Sequence, residues 1–332
     1  MEKPKIAVIG DGGWGTTLSL LLNKKGFKVT IWCAFSEYAA YLDKKRINTK
    51  FLPKIRIPRE ITITSDIETA VARKDLIILA APSQYMRQVL KRIKKIDFPK
   101  KAIYLSVTKG IEINTLERMT SVIRDELGNV AGAVLSGPTI AHEVAYGVPT
   151  TVVVAASNSK LCKYLQDIFM CESFRVYTSS DIIGVELGGS IKNVIAIACG
   201  ISDGLGFGTN TKAALLSRGL AEISRLGVAM GAKLKTFSGI SGLGDLVTTC
   251  ISPYSRNRYV GEQIGKGISL EQLNKTMQMV AEGVPTAKST YALSKKYKVA
   301  MPIIREVYLV LYKNKSPKDA VRYLMTRQKK AE

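Results

Sequence analysis

The chain has 332 residues, more than one hydrophobic core usually serves, so two domains are expected. Hydrophobic residues make up 46% of the chain and charged residues 23%, which is ordinary for a globular protein. The net charge of +22 would suit a nucleic acid or an anionic surface, but the lysines are scattered along predicted helices, which favours a generally basic surface that attracts anionic substrates.

Neither a membrane span nor a secretion signal is predicted. No apolar run reaches the length of a membrane span, and the N-terminus enters the first predicted strand with no room for a signal peptide. The cysteines form no Cys-x-x-Cys motif, which argues against a metal site and for reduced thiols in the cytoplasm. They are Cys33, Cys162, Cys171, Cys199 and Cys250.

The first motif, GDGGWG, follows directly on a short apolar run. Ile6–Ile9 is mostly β-branched, which predicts a buried strand, and the leucines after the glycines have helical spacing. In this setting Gly10 suits a tight turn, Gly12 lets the backbone approach a pyrophosphate, and Gly15 lets the helix pack closely on the strand. The order of strand, turn and helix predicts a dinucleotide site on the helix N-terminus; the alternative is a glycine turn without a ligand.

Strands and helices alternate over the first half of the chain. The predicted strands are Ile6–Ile9, Lys28–Trp32, Leu76–Ala80, Ile103–Leu105, Ala133–Leu135, Thr150–Ala155 and Arg175–Tyr177. Tyr85–Ile96 and Ile113–Leu127 are predicted helices. The pattern predicts an α/β domain over residues 1–180, with a doubly wound, Rossmann-like, mostly parallel sheet that binds ligands at the carboxyl ends of its strands. Predicted strands then cease, and Ile182–Gly200 begins an all-α domain over residues 181–332.

A lysine lies within the otherwise apolar helix VELGGSIKNVIAIACG. Lys192 has Gly188 and Ala196 one turn away on the same face, and such small neighbours would let another molecule come close. Apolar surroundings disfavour the charged form of a lysine, so Lys192 could exchange a proton with an oxygen. The alternative is a helix lysine whose ammonium group reaches solvent.

Two later stretches carry further candidate residues. In SGLGDL, a second glycine-rich loop, Asp245 could either hold a lysine or cap a helix. SPYSRNR places Arg256 and Asn257 at a predicted helix start with Pro253 near the first turn, which suits a phosphate site or a capped, solvated basic helix. The single histidine, His142, is expected to face solvent or to pack rather than to act in catalysis.

Taken in order along nearly the whole chain, several stretches resemble the bacterial NAD(P)-dependent sn-glycerol-3-phosphate dehydrogenase family. They are GDGGWGTTL, APSQ, TKGIE, LSGPTIAHEV, ELGGSIKNVIAIACGISDGLGFGTNTKAAL, SGLGDLVTTCISPYSRNR and VAEGVPTA. The family reduces dihydroxyacetone phosphate to sn-glycerol 3-phosphate for phospholipid synthesis. The resemblance therefore implies a cytoplasmic oxidoreductase that uses NAD or NADP and forms a homodimer.

The resemblance also implies roles for individual residues. Lys192 matches the catalytic lysine, the proton donor or acceptor. The implied substrate contacts are Lys109, Gly137, Thr139, Lys192, Asp245, Ser255, Arg256 and Asn257. The implied cofactor contacts are Gly10, Gly12, Gly13, Trp14, Gly15, Lys109, Ala141, Arg256, Val280 and Glu282. Thr139 stands where many members have serine, and either hydroxyl could donate the same hydrogen bond.

The chain departs from the family after the second predicted strand. Many bacterial members have an arginine, suited to the 2′-phosphate of NADP, where Ala34 stands. No acidic residue follows the strand directly to hold the ribose hydroxyls of NAD, because Glu37 comes late. The cofactor prediction is therefore NAD or NADP, leaning towards NAD. His142 stands where members often have lysine.

Two other functions stay open on the sequence. A related lysine-using reductase of a different hydroxy acid could share the two-domain plan, although SPYSRNR favours a phosphorylated substrate. A nicotinamide-sensing or nucleic-acid-binding protein without catalysis would explain the net charge but not the combination of Lys192, Asp245 and Arg256.

Overall fold

The computed structural model describes residues 3–277 and 280–329. Its contacts divide the chain into two compact units. The first unit holds the residues up to Lys109 together with Glu117–Glu186, and the second holds Gly110–Leu116 and the residues from Leu187 onwards. A domain division at residues 180 and 181 stays a proposal.

The first unit is built on an eight-stranded sheet. The strands of the described residues are β1 (Ile6–Ile9), β2 (Val29–Trp32), β3 (Ile47–Asn48), β4 (Leu52–Arg56), β5 (Thr62–Thr64), β6 (Leu76–Leu79), β7 (Ile103–Ser106), β8 (Ala131–Ser136), β9 (Thr150–Ala156) and β10 (Phe174–Ser179). The sheet order is β10-β9-β8-β7-β6-β1-β2-β5, while β3 and β4 form a separate antiparallel pair. Within the sheet β8 and β9 pair antiparallel and the other neighbours pair parallel, which confirms the predicted mostly parallel sheet.

Helices cover both faces of this sheet. They are α1 (Gly13–Lys24), α2 (Ser36–Lys45), α3 (Ile67–Val71), α4 (Met86–Lys94), α5 (Met119–Leu127), α6 (Ala141–Ala145) and α7 (Ser159–Phe169). Alternate residues of β1 belong to different apolar clusters: Ile6 and Val8 to one, Ala7 and Ile9 to the other. Because successive strand residues point to opposite faces, each face has its own core, as a doubly wound fold requires.

The predicted helix Ile113–Leu127 is wrong over its first residues. The backbone of Leu116 has φ 63°, in the left-handed region, and α5 begins only at Met119. A right-handed helix cannot pass through such a residue, and the sequence carries no glycine there to signal the break.

The second unit is helical, which confirms the predicted all-α half. Its helices are α8 (Ile182–Gly204, which begins in the first unit), α9 (Thr209–Ala229), α10 (Leu234–Phe237), α11 (Asp245–Ile251), α12 (Arg256–Gly265), α13 (Leu270–Thr276), α14 (Gly283–Lys296), α15 (Pro302–Tyr312) and α16 (Pro317–Met325). A π-helical turn, Ile240–Gly244, precedes α11.

Helices α8 and α12 cross with their backbones in close contact at glycines. A Cβ added to Gly200 would lie 2.0 Å from the carbonyl oxygen of Arg258, and one added to Gly261 would lie 2.1 Å from that of Ile197. One turn further along, Gly204 and Gly265 show the same crowding. This crossing therefore excludes any side chain larger than hydrogen at these positions.

In the described residues one helix, α8, does reach the length and apolar composition of a membrane span, contrary to the sequence-based expectation. However, 83% of its most apolar window is buried inside the protein. Such burial is typical of the core helix of a globular domain.

Candidate active site

The glycine-rich loop after β1 is shaped by close backbone packing. Gly10 has φ 131°, and a Cβ on it would lie 2.8 Å from the carbonyl group of Ala80. A Cβ on Gly15 would lie 2.1 Å from the carbonyl oxygen of Gly10, so α1 can rest on the loop only with glycine there. In contrast, a Cβ on Gly12 would meet no described atom within 4 Å, so this part of the backbone is open to a ligand.

The N-terminus of α1 suits an anion. No described side chain caps the helix, whose N-cap is Gly12, and its first turn has no acidic residue. The first N–H groups of a helix have no acceptor within the helix and carry part of the positive end of its dipole. An open glycine beside unpaired N–H groups fits the pyrophosphate of a dinucleotide cofactor.

Three further predicted cofactor residues lie near this loop. A Cβ on Gly13 would be 2.6 Å from the carbonyl oxygen of Phe51 and 3.7 Å from the Cβ of Ala141. Thr17 donates a hydrogen bond to the carbonyl oxygen of Ala141 at 3.0 Å. The indole Nε1 of Trp14 is buried and has no hydrogen-bond partner among the described residues. The structure thus brings Gly13, Trp14 and Ala141 to the start of α1.

A second cluster follows the carboxyl ends of the adjacent strands β7 and β8. The ammonium group of Lys109 donates to the carbonyl oxygen of Gly137 at 2.7 Å and to Oγ1 of Thr139 at 3.0 Å. Gly137 has φ 150°, a backbone conformation that favours glycine. Three of the predicted substrate residues therefore form one connected group, although they lie in two separate loops of the sequence.

Lys192 lies in a buried polar cluster on α8. Its ammonium group forms an ion pair with Asp245 and a hydrogen bond with Thr249, both on α11. The exposed fractions of the three residues are 4% for Lys192, 1% for Asp245 and 6% for Thr249. The interpretation of Lys192 as a lysine that reaches solvent is therefore wrong, because its charge ends inside the protein.

Of the two roles considered for Asp245, the structure shows the ion pair. The N-cap of α11 is Gly244, and the carboxylate of Asp245 binds Lys192 instead of capping the helix. Thr249 donates to the carbonyl oxygen of Asp245 at 2.7 Å, which links the two residues one turn apart on α11. A carboxylate and a hydroxyl thus fix the position of the Lys192 ammonium group.

The space beside Gly188 is filled by the protein, contrary to the expectation that another molecule could approach there. A Cβ on Gly188 would lie 2.7 Å from the carbonyl oxygen of Ser241. The SGLG stretch is also helical rather than a loop, since Ile240–Gly244 forms the π-helical turn. A Cβ on Gly242 would lie 2.1 Å from the carbonyl oxygen of Phe237, so these glycines serve close packing.

The SPYSRNR stretch forms the start of α12. Ser255 is the N-cap and accepts a hydrogen bond from the N–H of Arg258 at 3.3 Å, so Pro253 precedes the helix instead of lying in its first turn. The side chain of Asn257 is buried; it donates to Oδ1 of Asn193 at 2.9 Å and accepts from the N–H of Gly283 at 2.8 Å. Ser255 and Asn257 therefore shape this helix start through bonds within the protein.

Arg256 differs from its neighbours because it is exposed and forms no hydrogen bond or ion pair with a described residue. Although part of the Arg256 side chain is exposed, the protein atoms beside it lower the pKa of Arg256, while the carboxylate of Glu282 acts in the opposite direction. An arginine stays protonated at neutral pH despite such a shift. Val280, 41% exposed, lies two residues before Glu282. Arg256 and the first N–H groups of α12 together can receive an external anion.

Sequence reasoning missed three residues that hold these groups in place. Thr249 follows Asp245 by one helical turn, a spacing that indicates a shared face. Asn193 directly follows Lys192, but nothing in the sequence pairs it with Asn257. Asn48 lies far from the glycine loop in sequence and yet donates to the carbonyl oxygen of Asp11 at 2.7 Å.

His142 is half-buried on α6, with its ring 4.6 Å from that of Tyr146, in keeping with the packed role expected for it. Within the described ranges no three residues of the types His, Cys, Asp or Glu come together as a metal site would need.

Comparison with known proteins gives one consistent family. Residues 5–162 match a family model described as the NAD-dependent glycerol-3-phosphate dehydrogenase N-terminus, and residues 181–322 match the corresponding C-terminus. A glycerol-3-phosphate dehydrogenase [NAD(P)+] from Fusobacterium nucleatum is 51% identical over 99% of this chain and 98% of its own length. The same enzyme from Thermoanaerobacter sp. is 48% identical over 99% of this chain and 98% of its length.

A solved structure shows the same similarity. The crystal structure of glycerol-3-phosphate dehydrogenase from Coxiella burnetii has a TM-score of 0.95 and 37% sequence identity. The match covers 98% of this chain and 99% of that one.

Proposed function

The chain belongs to the NAD-dependent glycerol-3-phosphate dehydrogenase family, and on that premise we propose that it reduces dihydroxyacetone phosphate to sn-glycerol 3-phosphate with NADH or NADPH. The observation that carries the proposal is the buried cluster of Lys192, Asp245 and Thr249, a cation fixed by two partners on another helix. The product is a precursor for phospholipid synthesis.

The phosphate group of the substrate binds at the start of α12. Arg256 supplies a guanidinium that has no partner among the described residues, and such a group can hold a phosphate with two hydrogen bonds. The helix N-terminus adds N–H donors and the positive end of the helix dipole. Ser255 and Asn257 keep this surface in shape through their own hydrogen bonds. Holding the phosphate fixes the ketone for reaction and removes much of the entropic cost of the step.

Lys192 supplies the proton. NADH or NADPH, when bound, would supply the hydride for the ketone carbon. The ammonium group of Lys192 donates a hydrogen bond to the ketone oxygen and transfers a proton to that oxygen as negative charge develops on it. Asp245 and Thr249 hold the ammonium group in position, and solvent returns the proton to Lys192 afterwards.

The family resemblance supports Lys109 as a further substrate contact. Its ammonium group is held by Gly137 and Thr139, so its position is fixed before substrate binds. A cation held in this way can interact with an anionic ligand without first changing its own position. The loop after β1, with Gly10, Gly12, Gly13, Trp14 and Gly15, would hold the cofactor pyrophosphate. The other proposed cofactor contacts are Lys109, Ala141, Arg256, Val280 and Glu282.

The proposal is tested by mixing the purified protein with dihydroxyacetone phosphate and either NADH or NADPH and following the loss of the reduced nicotinamide signal. Lys192→Ala is expected to lower kcat by about 10²–10⁴-fold while leaving cofactor binding intact. Lys160→Ala removes an exposed lysine of α7 and serves as the matched control, with kcat unchanged. Near-normal turnover by Lys192→Ala would remove this residue from the mechanism.

Unphosphorylated dihydroxyacetone separates this function from that of a reductase of another hydroxy acid. If Arg256 holds a phosphate, kcat/KM for dihydroxyacetone is far below that for dihydroxyacetone phosphate. Equal values for the two ketones would contradict the proposed phosphate site.

The location and assembly belong to the same proposal. A cytoplasmic location is supported by the five cysteines, all free thiols in the structure. A homodimer is supported by the family resemblance, and light scattering coupled to size-exclusion chromatography tests it, since a mass of one chain would contradict it.

Among the cofactors, NAD is favoured because Ala34 offers no charge to a 2′-phosphate.

A further inference from the structure

The end of β2 lacks the acidic side chain that a NAD-binding sheet usually presents there. In doubly wound dinucleotide-binding folds, a carboxylate about 20 residues after the glycine motif accepts hydrogen bonds from the adenosine ribose. Here β2 ends at Trp32, and Cys33, Ala34 and Phe35 follow. Glu37 lies in the first turn of α2 and is exposed.

An acidic residue of another loop lies at this place. The N–H of Gly10 donates to the carbonyl oxygen of Trp32, the last residue of β2, at 3.1 Å, so the next residue, Asp11, lies beside the end of β2. Cys33 itself is fully buried. The glycine loop after β1 therefore places an acidic group against the end of β2.

Asn48 fixes the backbone that carries Asp11. Its amide group donates to the carbonyl oxygen of Asp11 at 2.7 Å and to Oγ1 of Thr16 at 2.8 Å. Its side-chain oxygen accepts from the hydroxyl of Tyr38 at 2.7 Å and from the N–H of Phe51 at 3.1 Å. Asn48 is fully buried with these four bonds, so Asp11 is held by the β3–β4 pair as well as by its own loop.

Burial and a neighbouring charge act on the pKa of the Asp11 carboxyl in opposite directions. Burial raises the pKa of the Asp11 carboxyl, and the nearby Lys50 ammonium lowers it. The Lys50 ammonium lies 4.7 Å from the ring centroid of Tyr38, whose pKa burial and the Asp11 charge raise to about 12. Lys50 is exposed and favours the ionised form of Asp11.

We propose that Asp11 takes the place of the missing β2 carboxylate, accepting hydrogen bonds from the ribose hydroxyls of NAD and repelling the 2′-phosphate of NADP. The inference rests on the proposed function, because it assigns a residue to the choice between the two cofactors. The carboxylate comes from the phosphate-binding loop itself, and it acts next to Ala34, which offers neither hydrogen bond nor charge.

Binding measurements test this without turnover. Isothermal titration of the full chain with NADH and NADPH, and with AMP and adenosine 2′,5′-bisphosphate as fragments without nicotinamide, gives four dissociation constants. We expect at least about tenfold tighter binding of NADH than of NADPH, since one charge repelling a phosphate at short range is worth that much. Asp11→Asn keeps the size of the side chain and should bring the ratio for both pairs close to one.

One control variant and one second replacement of Asp11 complete the test. Glu37→Gln removes an exposed carboxylate close by in sequence, and we expect it to leave the ratio within about twofold of that of the unsubstituted protein, as for other exposed charges. Asp11→Ser is a second replacement in case Asp11→Asn lowers the melting temperature, and it should relax the ratio in the same direction.

The possible outcomes distinguish a failure of this inference from a failure of the proposed function. Failure to bind either cofactor would overturn the proposed function and the inference together. Binding of both cofactors with a ratio that Asp11→Asn and Asp11→Ser leave unchanged would overturn the inference alone. So would a preference for NADPH that Lys50→Ala abolishes, since Lys50 would then be the discriminating residue.

Discussion

Replacing Asp245 by asparagine leaves the ammonium group of Lys192 buried without the carboxylate that neutralises it. Because the exposed fractions of Lys192 and Asp245 are only 4% and 1%, solvent compensates for little of the lost carboxylate. Removing one partner of a buried ion pair costs about 3–5 kcal/mol, mostly from the uncompensated charge that remains. We expect Asp245→Asn to lower the free energy of unfolding by that amount and kcat as well, since the proton donor loses its orientation.

Calorimetric unfolding is the suitable assay, because a chain with two units need not unfold in one transition. Thr249→Val serves as the milder comparison: it removes one hydrogen bond to the ammonium group and should cost about 1–3 kcal/mol. The double variant Lys192→Met, Asp245→Leu removes both charges and should recover much of the stability but none of the activity.

The reasoning is refuted if Asp245→Asn unfolds within about 0.5 kcal/mol of the unsubstituted protein, the range of ordinary surface changes. It is equally refuted if the double variant loses the sum of the losses measured for the single variants Lys192→Met and Asp245→Leu, because a coupled pair cannot behave additively.

Other predictions follow from single residues. Arg256→Ala should raise KM for dihydroxyacetone phosphate by the equivalent of about 1.5–3 kcal/mol, the range for a hydrogen bond to a charged group, with kcat for unphosphorylated dihydroxyacetone unchanged. Gly12→Ala should weaken NADH binding in titration without lowering the melting temperature, since its Cβ meets no described atom, whereas Gly15→Ala should lower the melting temperature because of the contact at 2.1 Å with Gly10. Burial raises the pKa of Glu222 to about 7. A raised carboxyl pKa means that the folded state binds the proton more tightly than the unfolded state. The free energy of unfolding of this protein, relative to that of Glu222→Gln, should therefore fall by about 3 kcal/mol as pH rises from 4.5 to 7. A difference in melting temperature between the two proteins that does not change with pH would contradict this.

The strands and the glycine loop could be predicted because each is a local pattern. Four apolar residues before a glycine cluster predict a strand at Ile6–Ile9, and β1 has these bounds in the structure. The β3–β4 pair was missed because Ile47–Asn48 has two residues and β4 is largely exposed, so neither has a periodic apolar signal. Its contribution to the glycine loop, through Asn48, depends on contacts between distant residues.

In the candidate site, too, local patterns could be predicted and contacts between distant residues could not. Lys192 stood out as a charge in an apolar helix, but its burial against Asp245 and Thr249 required the packing of α8 on α11. Gly188 was misread because a glycine that leaves room for a ligand and one that admits the protein's own backbone are identical in sequence. Arg256 and Asn257 lie at the start of α12 as predicted, but Pro253 lies before the N-cap Ser255, since a proline suits both the first turn and the segment before a cap.

The glycine crossing of α8 and α12 fixes the distance between Lys192 and Arg256. Lys192 is on one of these helices and Arg256 begins the other, and the two helices meet main chain to main chain at Gly200 and Gly261. Because neither glycine leaves room for a larger residue, a substitution at this crossing cannot change the distance between Lys192 and Arg256 without moving the two backbones. Under the proposed function, a constant distance between these two residues limits the length of the phosphorylated ketone that the protein reduces.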